Sequence, residues 1–159
     1  MFKDLINLFF PKVCLACSNM LLDNECYICT NCRHDLPLTN FHLEDPDQVK
    51  KVFYGRVKLV NGTSLLRFQK KGIVQQLMHN LKYKGHQEVG KFLGEWLGEE
   101  LAGIEEYREI DVVIPVPLHK RKLKKRKYNQ VSLFANEIAN SLNAKCLENV
   151  LVKRTYASS

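Results

Sequence analysis

The sequence predicts an α/β fold that follows a small cysteine-rich, zinc-ribbon-like module. Two observations support this prediction: five of the six cysteines lie between residues 14 and 32, and the apolar pattern after residue 72 passes from helical periods to short β-branched runs. The predicted order there is helix, helix, strand, helix, strand, which favours a parallel sheet covered by helices. We therefore divide the chain into a module at 1–48, with a short N-terminal helix, and an α/β part at 49–159.

The composition is that of a globular protein. Of the 159 residues, 45% are hydrophobic and 26% are charged, which excludes a mainly disordered or fibrous chain. No segment approaches the roughly 20 apolar residues that span a bilayer, so we expect no membrane insertion. The apolar start carries Asp4 and Asn7 and lacks a small-residue cleavage site, which predicts a cytoplasmic protein. Motifs of glycoside hydrolases, serine-triad enzymes and membrane carriers are missing.

The cysteines have the spacing of paired knuckles. Cys14-Leu-Ala-Cys17 forms the first knuckle, and the second is either Cys29-Thr-Asn-Cys32 or Cys26-Tyr-Ile-Cys29. Two such knuckles supply the four thiolates of a structural zinc ion, which leave no open position for a substrate or water. The set that we prefer is Cys14, Cys17, Cys29 and Cys32.

Other readings of the cysteines stay open. Disulfides would need an oxidising compartment, of which the sequence gives no sign. A redox-active Cys-x-x-Cys would need a strand before it and a long helix after it, and this context is missing. Cys26 could replace Cys29 or Cys32 as a ligand, and His34 or His42 could also replace a cysteine.

The segment after the knuckles predicts a loop and then a β-hairpin. Residues 37–50 are rich in helix and strand breakers, which is typical of a connecting loop. Beyond them, Arg56–Val60 and Ser64–Phe68 flank Asn61-Gly62, a strong short-range turn signal.

Three helices and two strands are predicted in the rest of the chain. Apolar residues at helical spacing predict one helix between Gly72 and Gly85, a second from Val89 that stops at Gly103, and a third from Gln130 to Leu142. The β-branched run Ile110–Ile114 predicts a buried parallel strand, and Cys146–Val152 predicts the last strand. A sheet of only two parallel strands would be narrow, so we expect the α/β domain in this chain to be incomplete.

The net charge of +7 comes from one short run. The chain has 24 Lys and Arg against 17 Asp and Glu, and the run alone contributes seven basic residues: Lys120, Arg121, Lys122, Lys124, Lys125, Arg126 and Lys127. Such a concentration indicates a single anionic target, either a phosphate-bearing ligand or a stretch of nucleic acid. The alternative is a solvated loop without a specific ligand. Because like charges this dense repel, we expect no stable helix here until an anion neutralises them.

The basic run lies between the end of a predicted strand and the start of a predicted helix. The strand runs into Pro115-Val-Pro-Leu-His119, and the run is followed by Tyr128-Asn-Gln130. Ligands of open α/β sheets bind beyond the carboxyl ends of strands, and helix N-termini attract anions. Taken singly, the prolines could simply end the strand and Asn129 could be a helix N-cap. Together these features predict an anion site.

Four segments, in this order, resemble the ComF family of bacterial competence-associated proteins, which are similar to type I phosphoribosyltransferases. They are the knuckle end Cys32-Arg-His-Asp-Leu-Pro37, Leu81-Lys-Tyr-Lys-Gly85, Asp111-Val-Val-Ile-Pro-Val-Pro-Leu-His119 and Arg126-Lys-Tyr-Asn-Gln130. The resemblance covers nearly the whole chain. It implies a Rossmann-like, incomplete type I phosphoribosyltransferase-like domain, a ligand such as phosphoribosyl diphosphate or a related phosphorylated sugar, and a role in DNA uptake.

The resemblance also implies roles for particular residues. The loop that binds diphosphate would be formed by Val116, Pro117, Leu118 and His119. The anion-binding residues beside it would be Lys120, Arg121, Lys122, Lys124, Lys125, Arg126, Lys127, Tyr128, Asn129 and Gln130. Magnesium would accompany the diphosphate only in a complete domain.

Two departures from the family affect these expectations. The family usually has a glycine at the position of Lys127, so the bend before Tyr128 is expected to differ. The chain also lacks the signature in which two adjacent acidic residues precede a Thr-Thr-Gly type loop. In such enzymes this signature holds the ribose hydroxyls and the 5′-phosphate. We therefore expect the chain alone to be inactive as a transferase.

A function of another class also fits the residues. The chain could be a zinc-containing protein of the DNA uptake machinery that binds single-stranded DNA or docks a DNA-processing protein through the knuckle and the basic run. Aromatic residues for base stacking are few around the run, with Tyr128 as the one candidate. A third reading is a fragmentary gene product without a function of its own.

Overall fold

A computed structural model describes residues 11–156 of the chain. The helices are α1 (Thr30–His34), α2 (Phe41–Glu44), α3 (Asp47–Phe53), α4 (Ile73–Tyr83), α5 (Glu88–Ala102), α6 (Lys120–Arg126) and α7 (Ser132–Ser141), with a 3₁₀ turn at Glu105–Tyr107. The strands are β1 (Val112–Val113) and β2 (Lys145–Cys146). The predicted short N-terminal helix lies outside the described residues. Within 11–156, none of the helices combines the length and apolar character needed to cross a bilayer.

The scaffold is a layer of three helices, and the sequence predicted all three. Helix α5 packs against both α4 and α7. Its contact with α7 uses Gly90, Gly94 and Gly98, which share one face of α5 because they are four residues apart. A Cβ atom at Gly94 would lie 2.6 Å from the carbonyl oxygen of Phe134, so only glycine permits this approach. The fully buried Leu77 of α4 and Val89 of α5 lie in the core beside it.

The sheet is parallel, as predicted, but smaller and more exposed than expected. Val112 pairs with Lys145 and Val113 with Cys146, and α7 packs against both strands. The prediction of a buried strand at Ile110–Ile114 is wrong, because Val112 and Ile114 are 38% and 39% exposed. The second predicted strand, Cys146–Val152, is reduced to the pair Lys145–Cys146. In the described part of the chain, one helix covers this sheet and no third strand joins it.

The hairpin predicted at Asn61-Gly62 does not form. Leu66 instead makes an isolated antiparallel bridge with Leu38, in which the Arg67 N–H donates to the Pro37 carbonyl at 2.8 Å. The other half of the expected hairpin, Arg56–Val60, is largely exposed and irregular. The Asn-Gly turn signal is therefore overridden by pairing with a more distant segment. The loop predicted at 37–50 also contains α2 and the start of α3.

The cysteine module and the helical layer share one hydrophobic core. Buried Cys14, Leu15 and Ile28 belong to the same cluster as Leu77 and Leu93 of the helices. The module thus lies against α4 and α5, close to the rest of the chain. The division at residue 48 stays a prediction.

Candidate metal centre and cationic pocket

The four cysteines that we preferred come together in space. The sulfur atoms of Cys14, Cys17, Cys29 and Cys32 all lie within 4.8 Å of one another. A tetrahedral ion with zinc–sulfur bonds of about 2.3 Å holds its sulfurs about 3.8 Å apart, and the sulfurs of Cys17 and Cys29 are separated by 3.8 Å. This donor set and its spacing fit a structural zinc ion. Cys26 is exposed and lies outside the cluster.

Backbone N–H groups of the knuckle stabilise the thiolate form of Cys14, which is the form that binds a metal ion. The N–H groups of Ala16 and Cys29 donate to its sulfur at 3.4 and 3.3 Å. Burial alone would raise the pKa of Cys14, but N–H groups of Cys17, Cys29 and Ala16 aimed at the sulfur bring the pKa down to about 7. Burial and the neighbouring thiols raise the pKa of Cys32. A metal ion that binds there must therefore displace the Cys32 proton.

Neither flanking histidine belongs to the cysteine cluster. His34 is exposed beside Asp35. The His42 side chain is fully buried, with Nε2 3.0 Å from Glu100 Oε2 and Nδ1 3.2 Å from the Thr63 hydroxyl. The Glu100 contact has the distance of an ion pair, although its alignment does not suit a hydrogen bond. His42 thus connects α2 to α5.

The basic run is helical, so the prediction that it would not form a stable helix is wrong. Helix α6 carries like charges four residues apart, which destabilises it, but an N-terminal cap and contacts with a distant tyrosine ring offset part of this repulsion. At its start, His119 Nδ1 accepts a hydrogen bond from the Arg121 N–H at 3.2 Å. The Arg121 guanidinium and the Lys122 ammonium lie 5.5 and 5.9 Å from the centre of the Tyr156 ring. The helix ends at Arg126, and its C-cap is Lys127, whose φ of 67° is left-handed.

A cavity of about 490 Å³ lies between the end of α4 and helix α6, and we call it the cationic pocket. Its basic lining residues are Lys82, Lys84, Lys122, Lys125, Arg126 and Lys127, and its aromatic ones are Tyr83, Tyr128 and Tyr156. Among residues 11–156, no carboxylate lines the cavity. Within residues 11–156, none of the seven basic residues of the run forms an ion pair with Asp or Glu. The pocket therefore concentrates positive charge that the described protein leaves uncompensated.

Two side chains of the pocket are held in place. Arg126 donates to Gln130 Oε1 at 2.9 Å, and its guanidinium lies 5.5 Å from the centre of the Tyr83 ring. The Tyr128 hydroxyl donates to the Leu81 carbonyl, which ties the segment after α6 to the end of α4. Burial raises the pKa of Tyr128 above its ordinary value.

The loop predicted to bind diphosphate lies next to the pocket. Leu118 and His119 line a smaller hollow of about 230 Å³ together with Gln130 and Lys153. This hollow shares Lys82, Tyr83, Lys122 and Arg126 with the cationic pocket. Val116 and Pro117 line neither hollow. Val116 is exposed, and its carbonyl accepts from Asn129 Nδ2 at 3.1 Å.

The structure divides the predicted basic residues into two groups. Lys122, Lys125, Arg126 and Lys127 line the cationic pocket, whereas Lys120, Arg121 and Lys124 line neither hollow. The possible N-cap role of Asn129 is not observed, because Val131 is the N-cap of α7. Asn129 Oδ1 instead accepts from the Val131 N–H at 3.5 Å, within the turn before the helix.

Sequence reasoning missed part of the pocket. Lys82 and Tyr83 come from the last turn of α4, Lys84 is the C-cap of this helix, and Tyr156 comes from the chain after β2. The signal for the first group was present in Leu81-Lys-Tyr-Lys-Gly85, where two lysines flank a tyrosine at the end of a helix. No local signal marks Tyr156, because its place depends on where the chain after β2 runs.

Comparisons of the chain with models of protein families, with curated proteins and with solved structures find no match.

Proposed function

We propose that this protein binds a phosphorylated ligand of the phosphoribosyl diphosphate type in the cationic pocket, as a ComF-like protein associated with DNA uptake. The observation that carries the proposal is the convergence of six basic side chains, from the end of α4 and from the run at α6, on a cavity that no carboxylate of residues 11–156 lines. A folded chain concentrates like charges at some cost to its stability. A bound polyanion would reverse that cost.

The position and shape of the pocket favour a diphosphate over a single small anion. The adjoining hollow begins at Leu118 and His119, beyond the carboxyl end of β1, where open α/β sheets bind ligands. The two cavities share four residues, so a ligand with two phosphate groups and a sugar has room to extend from one to the other. Gln130 and Tyr83 already orient the Arg126 side chain. Arg126 therefore loses less conformational entropy when it binds a phosphate.

The proposal concerns binding and not turnover by this chain alone. The parent reaction would displace diphosphate from an activated ribose, with backbone donors and cations stabilising the leaving group. The 159 residues contain no acidic pair followed by Thr-Thr-Gly, so nothing in the chain matches the signature that holds the ribose and its 5′-phosphate. Magnesium would enter with the diphosphate oxygens. We expect no transfer activity from the isolated chain.

Calorimetric titration with phosphoribosyl diphosphate and excess Mg²⁺ tests the proposal. We expect saturable binding, weakened about 10- to 100-fold by Arg126→Gln, since a hydrogen bond to a charged group contributes about 1.5–3 kcal/mol. Lys124→Gln is the matched control, because it removes the same charge from the same helix outside both hollows. An equal loss in both variants, or no binding by the wild-type chain, would refute the proposal.

Single-stranded DNA is a second candidate ligand, favoured by the tyrosines of the pocket. The sequence offered Tyr128 alone for stacking, but Tyr83 and Tyr156 also line the cavity and are 58% and 45% exposed. Exposed aromatic rings among basic residues are typical of surfaces that bind single strands. The Tyr128 hydroxyl bonds to Leu81, so Tyr83 and Tyr156 are the better stacking platforms.

Salt dependence distinguishes the two candidates. A single strand that contacts all six cations should give a slope of log K against log salt of about −4, since each neutralised phosphate contributes about −0.7. Tyr83→Ala with Tyr156→Ala should weaken DNA binding more than phosphoribosyl diphosphate binding. Tight oligonucleotide binding without any response to phosphoribosyl diphosphate would favour the DNA-binding function.

A further inference from the structure

One turn of α4 contacts both the cysteine module and the cationic pocket. Asn80 is buried, and its Nδ2 donates to the Leu15 carbonyl at 2.6 Å. Leu15 lies inside the first knuckle, between Cys14 and Cys17. The next residue in α4, Leu81, accepts the hydroxyl hydrogen bond of Tyr128 through its carbonyl. Adjacent residues of one helix turn thus connect to the knuckle on one side and to a pocket residue on the other.

The contact of Asn80 depends on an ordered knuckle. Two features fix Leu15. It follows Cys14, whose sulfur belongs to the cluster, and its N–H donates to the Tyr27 carbonyl at 2.9 Å. A buried N–H donor without an acceptor is unfavourable, so Asn80 Nδ2 depends on the Leu15 carbonyl staying in place, whereas Asn80 Oδ1 accepts from Gln76 Nε2 at 3.5 Å within α4. Small cysteine modules lose their order when the metal is removed.

The backbone carbonyl of Asn80 also accepts hydrogen bonds that close the end of α4. It accepts the N–H of Lys84 at 3.0 Å and that of His86 at 3.4 Å, and so closes the turn that carries Lys82 and Lys84 into the cavity. A shift of Asn80 would therefore move two cations of the pocket directly. It would also disturb Tyr128 through Leu81.

From these contacts we propose that Asn80 is a positioning residue that couples the metal state of the cysteine cluster to the order of the cationic pocket. With zinc bound, Leu15 holds Asn80 and the last turn of α4 presents its lysines. Without zinc, Asn80 Nδ2 loses the Leu15 carbonyl as its acceptor and this turn loosens. As a statement about ligand affinity, the inference rests on the proposed function. As a statement about order, it can be tested without a ligand.

The first test compares affinity for phosphoribosyl diphosphate, in excess Mg²⁺, between zinc-loaded and metal-stripped reduced protein. The wild-type chain should bind about 10-fold more weakly without zinc, within the usual range of coupling between sites. Zinc-loaded Asn80→Leu should bind about as weakly as the metal-free wild type and respond less than about 2-fold to zinc removal. Asn140→Leu, an exposed asparagine of α7, is the control that should keep the full zinc effect.

The second test measures amide hydrogen exchange without a ligand. Removing zinc from the wild type should speed exchange at 82–85 and 127–130, and in Asn80→Leu these amides should exchange fast whether or not zinc is bound. If Asn80→Leu does not fold, Tyr128→Phe replaces it, because it breaks the link to Leu81 and leaves the knuckle intact. Exchange at 127–130 should then stop responding to zinc.

The outcomes separate the two proposals. No ligand binding by the zinc-loaded wild type would refute the proposed function, and the exchange data would still decide the coupling. Equal affinity with and without zinc, or equal exchange at 82–85 in both metal states, would overturn the role of Asn80. Full zinc dependence in Asn80→Leu would overturn it as well.

Discussion

The cysteine cluster and the cationic pocket both gather groups that carry one sign of charge, but they are built differently. The four sulfurs stand on short side chains within 4.8 Å of one another, and backbone N–H groups aim at Cys14. The six cations stand on long side chains from two segments and line a cavity of about 490 Å³. The first arrangement suits one small ion of fixed coordination, and the second suits an extended anion that several side chains can follow.

This difference explains why one site could be read from the sequence more completely than the other. Cys-x-x-Cys spacing is a local device, because each pair of ligands lies within one short turn. The cationic pocket needs α4, α6 and the chain after β2 to meet, and their distance in sequence hides that meeting. A cluster of short side chains also tolerates less change, so the largest effects are expected there.

Loss of a cysteine ligand should have the largest effect. Cys32→Ser should abolish stable zinc binding and melt the knuckle, since a structural zinc site contributes on the order of 10 kcal/mol to the folding of a small module. Native mass spectrometry measures the zinc content of each variant, and thermal melting measures its stability. Cys26→Ser is the control, because Cys26 is exposed and lies outside the cluster. Zinc loss from Cys26→Ser together with retention in Cys32→Ser would contradict the assigned ligand set.

The second-largest effect is expected where α5 packs closely against α7. Gly94→Ala should lower the free energy of unfolding by about 1–3 kcal/mol, because its Cβ would lie 2.6 Å from a backbone oxygen of Phe134 that cannot easily move. Gly103→Ala should be tolerated, since among residues 11–156 its Cβ would meet the Glu100 carbonyl alone, at an ordinary 3.5 Å. Chemical denaturation of the two zinc-loaded variants measures the difference. Equal stability would show that the close packing of α5 on α7 is wrong.

The smallest effect concerns the backbone of the pocket. Lys127 adopts a left-handed φ of 67° at the end of α6, so Lys127→Gly should relieve strain and raise stability by up to about 1 kcal/mol. Lys124→Gly, within the same helix, should instead lower stability by about 1 kcal/mol. Melting temperatures should move in opposite directions, each by about 2–4 °C. A decrease in both variants would mean that Lys127 is not the C-cap of the helix.

The helices were the most predictable part of the fold. Leu77 and Leu81 in α4 and the apolar face of α5 repeat at helical spacing, and burial against neighbours rewards that pattern directly. The hairpin failed because the Asn61-Gly62 signal is local, whereas Leu66 found its partner in Leu38. Helix α6 was not predicted because the sequence shows the repulsion along the run but not the cation–π contacts that oppose it. Those contacts are made with the rings of Tyr83 and Tyr156, which lie far away in sequence.

The strands show another limit of sequence patterns. A β-branched run such as Ile110–Ile114 indicates strand, but its burial depends on what covers it. In the described part of the chain β1 pairs with β2 alone, so Val112 and Ile114 stay partly exposed. The four preferred cysteines did come together, since the chain between Cys17 and Cys29 is short enough to bring both knuckles to one point.

The most direct test of the cationic pocket as a ligand site is an NMR titration of zinc-loaded, ¹⁵N-labelled protein with phosphoribosyl diphosphate and excess Mg²⁺. Backbone amide signals at 82–85 and 118–130 should shift together and saturate. Signals at 50–58, which carry exposed basic residues away from the pocket, should stay unchanged. Equal, unsaturated shifts at both places, or no shift at 82–85, would contradict the account.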